Sequence, residues 1–251
     1  MRVAADSHLT RVRRRVPLKH EPLPIHLKPA ADLAERVLLP GDPHRALAVA
    51  QHLLDGPKMF NHSRGLWGYT GVAPDGEQLT IQSTGMGGPS AAIVVEELIA
   101  LGARRLVRIG TCGALDGGLA LGDIVAAESV LPADGTSAAL GANGSVAPDA
   151  GLLSRLVGAG ARPGRVVSSD LFYDPREGQV AEWVDRGAVA VEMEAATIFL
   201  VAARRGVEAA CVLGVSDVVG VEGGLRAAPE QLEAIGLRVG EVGYAAVEAR
   251  E

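Results

Sequence analysis

Arg108 stands inside the apolar stretch LVRIG at 106–110, where a guanidinium without an anionic partner is costly to bury. Its partner is either an internal carboxylate or a phosphate presented beside the following Gly110–Thr111 turn. Arg45 and Arg64 lie next to turn sequences, Gly41-Asp42-Pro43 and the 61–65 segment. Guanidinium forks suit phosphate oxygens, although taken singly each such arginine is more often a surface charge. Two acids, Glu192 and Glu194, bracket Met193 directly before an Ala-rich stretch. Strand alternation points both to one side, where a pair of carboxylates grips sugar hydroxyls; for Glu194 the alternative is an acid favoured by a helix dipole. Asp217 follows the apolar run CVLGVS and falls at the rim of a sheet, as a partly desolvated acid or a cap. The loop TGMGGPS at 84–90 joins a strand to a helix. It either turns its amides toward an anion or only lets strand and helix pack, and its incomplete GxGxxG is weak evidence for a dinucleotide.

Positioning these groups requires alternating strands and helices. From residue 25 onward, apolar runs of strand length at 79–83, 106–109, 124–127, 166–168, 189–191 and 210–215 alternate with stretches of helical period. The pattern predicts helices over 89–101, with Pro89 in the first turn, and over about 176–185, 195–205 and 229–248. Glycine-rich spacers at 116–122, 141–144 and 220–224 are expected loops, none long or polar enough for an interdomain linker. Residues 1–22 carry Arg2, Arg11, Arg13, Arg14, Arg15 and Lys19 among few core-forming residues and form an expected basic, solvated extension. Residues 23–251 then make one α/β domain, a three-layer α/β/α sandwich around a central mixed sheet. Ligands belong at the carboxyl ends of its strands.

Composition narrows the chemistry. The 251 residues are 48% hydrophobic and only 3% aromatic, so the core rests on Val, Leu, Ala and Ile, as in strands covered on both faces. A formal charge of -6 argues against a nucleic-acid partner. Cys112 and Cys211 stand alone, and the six histidines form no ligand cluster, so reduced thiols and no metal are expected. No apolar run reaches about 18 residues and no apolar segment opens the chain, so neither a spanning helix nor a signal peptide is expected and the cytoplasm is the expected location.

Five segments in order carry a specific resemblance: PGDPHRA at 40–46, STGMGGPS at 83–90 with its helix AAIVVEELIALGA, RIGTCGA at 108–114, SSDLFY at 168–173 and VEMEAA at 191–196. Over nearly the whole chain after residue 22, the sequence resembles the nucleoside phosphorylases that include bacterial hexameric purine nucleoside phosphorylases and uridine phosphorylases. The resemblance implies that Gly41, Arg45, Arg108 and Thr111 hold phosphate, joined by Arg64 from a neighbouring subunit. Met193 and Glu194 would hold the ribose, with His26 of the neighbour reaching the sugar. Phe172, Val191 and Glu192 would line the base pocket, with Ser216 and Asp217 at the purine edge. The family unit is a dimer with shared sites, commonly assembled into a hexamer, using inorganic phosphate as co-substrate and no cofactor.

Stretches of the sequence resemble each branch, and Asp217 decides between them. A purine leaving group needs a proton near N7, which an aspartic acid donates; uridine phosphorylases usually lack that acid and carry a Gln and Arg pair not matched after Tyr173. The expected reaction is phosphorolysis of purine nucleosides, with uridine phosphorylase as the alternative. The purine enzymes also have an arginine downstream of the aspartate, for which only Arg226 is available here. A nucleosidase of the same superfamily would use water and need no arginine cluster, and a non-catalytic nucleoside-binding protein would not need both Asp217 and Glu194.

Overall fold

The computed structural model describes residues 24–115, 117–219 and 225–249, so the basic segment 1–22 and the spacer 220–224 lie outside the described residues. In chain order the elements are β1 (Arg36–Leu39), α1 (Pro43–Leu53), β2 (Asp55–Asn61), β3 (Gly68–Val72), β4 (Gln78–Gln82), α2 (Gly88–Leu101), β5 (Arg105–Ala114) and β6 (Ile124–Ala133). They continue with α3 (Gly135–Ala139), α4 (Ala150–Gly158), β7 (Arg162–Ser169), α5 (Gln179–Asp185), β8 (Ala188–Glu192), α6 (Ala195–Arg205), β9 (Glu208–Val218), β10 (Leu225–Arg226) and α7 (Pro229–Val247).

One ten-stranded mixed sheet runs β10-β9-β6-β7-β8-β5-β1-β4-β3-β2. Strand β5 also pairs along its length with β9, and its end pairs with β8, so β5, β9, β6, β7 and β8 close on themselves. Strand alternation supplies two faces. Val37, Leu39, Leu106, Cys211 and Leu213 join α2 and α6 in one core, whereas Leu38, Val107, Ile109, Ala210 and Val212 join α1, α4 and α7 in the other. The result is the expected three-layer α/β/α sandwich. Each anticipated strand and helix is present, and β5, β6, β7 and β9 extend beyond their apolar runs.

Two close approaches place the site. A Cβ on Gly88 would lie 2.8 Å from Thr197 Oγ1, so this glycine lets the start of α2 pack against α6. Register slips between Cys112 and Gly113 where β5 pairs with β9, and the slip sets Gly113 opposite both Asp217 and Val191.

At the opposite end of the sheet, Arg36 (4% exposed) forms a two-pronged pair with Asp75, Nη2 reaching Oδ1 at 2.6 Å. Asp75 also accepts the Ala249 amide at 2.8 Å, and Arg36 donates to the Val247 carbonyl, so one buried pair fastens the end of α7 to the β3–β4 turn. The Arg36 hydrogen bonds hold the Asp75 carboxyl well below the usual carboxylate range. A depressed folded pKa contributes stability above the unfolded value and loses it as pH falls through the folded value. Asp75→Asn is therefore expected to lower unfolding free energy by about 3 kcal/mol at neutral pH. In urea titrations the gap from wild type should shrink once pH drops below about 4, the unfolded aspartate value; an undiminished gap at lower pH would deny the ionic origin.

Candidate active site

A cavity of about 690 Å³ opens at the carboxyl ends of β1, β5, β7, β8 and β9. Eleven of the fourteen residues singled out from sequence line it: Gly41, Arg45, Arg108, Thr111, Phe172, Val191, Glu192, Met193, Glu194, Ser216 and Asp217.

Arg108 organises one end. Its side chain is 5% exposed; Nε donates to Glu192 Oε2 at 2.8 Å, and Nη2 pairs with Glu194 Oε2. Of the two partners considered for Arg108, internal carboxylates are thus present. Burial opposes the guanidinium charge, and the carboxylates of Glu194 and Glu192 overcome it, so its pKa lies above the ordinary arginine value. Nη1, however, is buried without a hydrogen-bond partner among the described residues, and a Cβ on cavity-lining Gly41 would approach it to 3.9 Å. Arg45 is the second cation. Burial and the nearby Arg108 charge lower its pKa from the ordinary value, and its stem packs on Gly236 of α7. Two neighbouring like charges, one of them with an unused donor, favour a bound anion.

The two glutamates divide their work differently from the alternation argument. Glu192 ends β8 and accepts the amides of Glu194 (2.8 Å) and Ala195 (3.0 Å), so it is the acid that satisfies the start of α6. Its other oxygen accepts from Ser168, which leaves the carboxylate with internal partners on both sides. Glu194, at the N-cap position, makes no capping bond. Its Oε1 instead accepts the Gly87 amide at 2.6 Å, while burial pushes its carboxyl pKa up against the pull of Arg108. The Gly85 amide is likewise committed, to the Gly41 carbonyl at 3.1 Å. The glycine loop therefore acts mainly as a packing turn that fixes Glu194 and Gly41.

Asp217 marks the far end, half-buried near the end of β9. Ser216 Oγ lies 2.8 Å from Asp217 Oδ1 and 3.3 Å from the Cys112 carbonyl. Oδ2 faces Gly113 beside Val191 and Val219, whose methyl groups also crowd that glycine. Beyond them Val180 and Trp183 continue an apolar wall, with Leu171 and Phe172 at the rim. Sequence reasoning did not single out Gly113, Val180 or Trp183; their signal, apolar or small residues near strand ends, is that of any core.

Three expected residues lie outside the cavity lining. Arg226 occupies strand β10 directly opposite Asp217, which fixes the register that sequence left open, and its side chain is exposed. Arg64 is exposed on a turn with φ of 59°, the one positive-φ position among described non-glycine residues. His26 sits on the surface segment before β1, its Nδ1 2.6 Å from Glu97 Oε1.

A family model described as the phosphorylase superfamily matches residues 35–248. The chain belongs to the phosphorylase superfamily. Among similar superfamily members, a DeoD-type purine nucleoside phosphorylase of Caldanaerobacter subterraneus subsp. tengcongensis is 41% identical over 198 residues, 74% of this chain and 84% of the relative. One from Jannaschia sp. is 39% identical over 203 residues, 77% and 86% of the two chains. Another from Alkaliphilus metalliredigens is 36% identical over 195 residues, 74% and 83%. The superfamily match spans every strand of the described residues, from β1 to β10, and includes all the cavity-lining segments.

Proposed function

We propose that this superfamily member cleaves purine nucleosides with inorganic phosphate, releasing free base and ribose 1-phosphate, without a cofactor. The observation that carries this is the unpartnered Nη1 of buried Arg108 beside Arg45, at one end of a cavity whose other end holds an acid against an apolar wall. Phosphate held by Arg45, Arg108, Gly41 and Thr111 lies beneath C1′ as nucleophile and balances the charge that develops on the sugar. Met193 and Glu194 hold the ribose, Phe172 and Val191 cover the base, and Asp217 protonates N7 as the glycosidic bond breaks. A serine hydroxyl has one proton. When Ser216 gives it to the Cys112 carbonyl, Oγ is free to accept from a protonated Asp217. Arg226, opposite Asp217, stabilises the carboxylate left after proton transfer.

His26 and Arg64 lie outside the cavity of their own chain; as the family resemblance implies, they serve the site of a second copy, within a dimer with shared sites and a hexamer built from it. The enzyme works in the cytoplasm; among the described residues no helix is long and apolar enough to cross a membrane. A product assay tests the reaction. With inosine, guanosine and adenosine, formation of ribose 1-phosphate that requires added phosphate is expected. Free ribose formed without phosphate would mean hydrolysis, and cleavage confined to uridine would move the substrate to pyrimidines.

A further inference from the structure

Glu97 is an acid on the apolar side of α2, beside Val94 and Leu98, and only 4% exposed. Donors from three consecutive residues converge on it. Oε2 accepts the Leu27 amide at 2.7 Å and the His26 amide at 3.0 Å; Oε1 accepts the Ile25 amide at 3.0 Å and meets His26 Nδ1 at 2.6 Å. Burial alone would raise the carboxyl pKa, but the Leu27 amide, the His26 ring and the other amides hold it below the ordinary glutamate value. The amides already compensate the charge, so the shortest contact, that to the ring, serves the histidine.

The same segment is tied to the turn that carries Arg64. Asn61, fully buried, accepts the Lys28 amide at 2.9 Å and donates to the Leu66 carbonyl at 2.5 Å. His26 and Arg64 are thus mounted on one stitched unit. With Nδ1 engaged by a carboxylate, the neutral imidazole carries its proton there and leaves Nε2 as an acceptor. The His26 side chain is 28% exposed, and Nε2 has no partner among the described residues.

We propose that Glu97 is a positioning residue of the shared active site, holding His26 as the Nδ1–H tautomer so that Nε2 meets a sugar hydroxyl of the nucleoside bound by a second copy. This rests on the reading of His26 as the neighbour's sugar contact. Glu97 touches neither substrate nor phosphate; it acts through the ring.

The test is a double-mutant cycle on the full chain, measuring kcat/KM for inosine at saturating phosphate in wild type, Glu97→Gln, His26→Ala and the double variant. Each single change is expected to lower kcat/KM about tenfold, the upper size of a lost neutral hydrogen bond, and the double variant to be no worse than His26→Ala. An equal loss from Glu97→Gln in both backgrounds overturns the proposal, because the carboxylate would then act on the fold. A silent Glu97→Gln beside a damaging His26→Ala also overturns it while leaving the sugar contact standing. A silent His26→Ala removes the sugar contact and the proposal together. Nitrogen-15 spectra of the imidazole in wild type need no variant: an Nδ1-protonated His26 is expected, and an Nε2-protonated ring refutes the assignment.

Discussion

Asp217→Asn is expected to lower kcat for inosine phosphorolysis by about 10²–10⁴, the usual contribution of a positioned general acid. Asparagine keeps the shape and still accepts from Ser216, whose Oγ lies 2.8 Å from Oδ1, so the thermal midpoint should stay near wild type. What it removes is the transferable proton. The apolar neighbours Val191 and Val219 offer the departing base no substitute donor. The loss should therefore depend on the leaving group. A nucleoside whose purine is already cationic through an N7 substituent departs without protonation, and Asp217→Asn should cleave it at close to the wild-type rate. Equal losses on both substrates would show that Asp217 orients the base and does not protonate it. Arg226→Ala should follow the same substrate pattern with a smaller loss.

Sequence patterning revealed the sandwich because its central strands are continuous apolar runs and its longer helices are strongly periodic. It missed β1, the short buried strand between β5 and β4, and was weakest at the edges. Strand β2, DGPKMFN, is mostly exposed and carries Gly56 and Pro57, so neither alternation nor β-propensity marks it. The site divides in the same way. Arg108 was legible because one cation in an apolar strand demands a partner, yet its partner Glu192 is 84 positions away and no local pattern joins them. Glu192 and Glu194 look equivalent in VEMEAA, and only the turn from β8 into α6 separates the residue that satisfies the helix from the one that faces Gly87. Glu97 left a trace, since an acid at the Val94–Leu98 face breaks the apolar stripe of α2. That trace is no stronger than the one left by a salt bridge.

Arg108→Ala and Arg45→Ala are both expected to weaken phosphate binding, but with opposite effects on stability. A charged hydrogen bond contributes on the order of 1.5–3 kcal/mol, so each variant should raise the KM for phosphate by about 10–100-fold. Arg108→Ala also leaves Glu192 and Glu194 buried side by side without their common cation. Removing one partner of a buried ion pair costs about 3–5 kcal/mol, so this variant should melt at a markedly lower temperature. Among the described residues Arg45 has no comparable pair; burial and the neighbouring Arg108 charge disfavour its cation more than Asp42 and Glu194 favour it. Its removal relieves like-charge repulsion and should leave unfolding free energy unchanged or slightly higher in phosphate-free buffer. Wild type should recover the difference when phosphate is added, since a ligand bound only by the folded state raises its stability. Calorimetry with and without phosphate checks the contrast. An Arg45→Ala protein that is destabilised without phosphate, or that gains as much from phosphate as wild type, would mean that the arginine packs the fold and does not hold the anion.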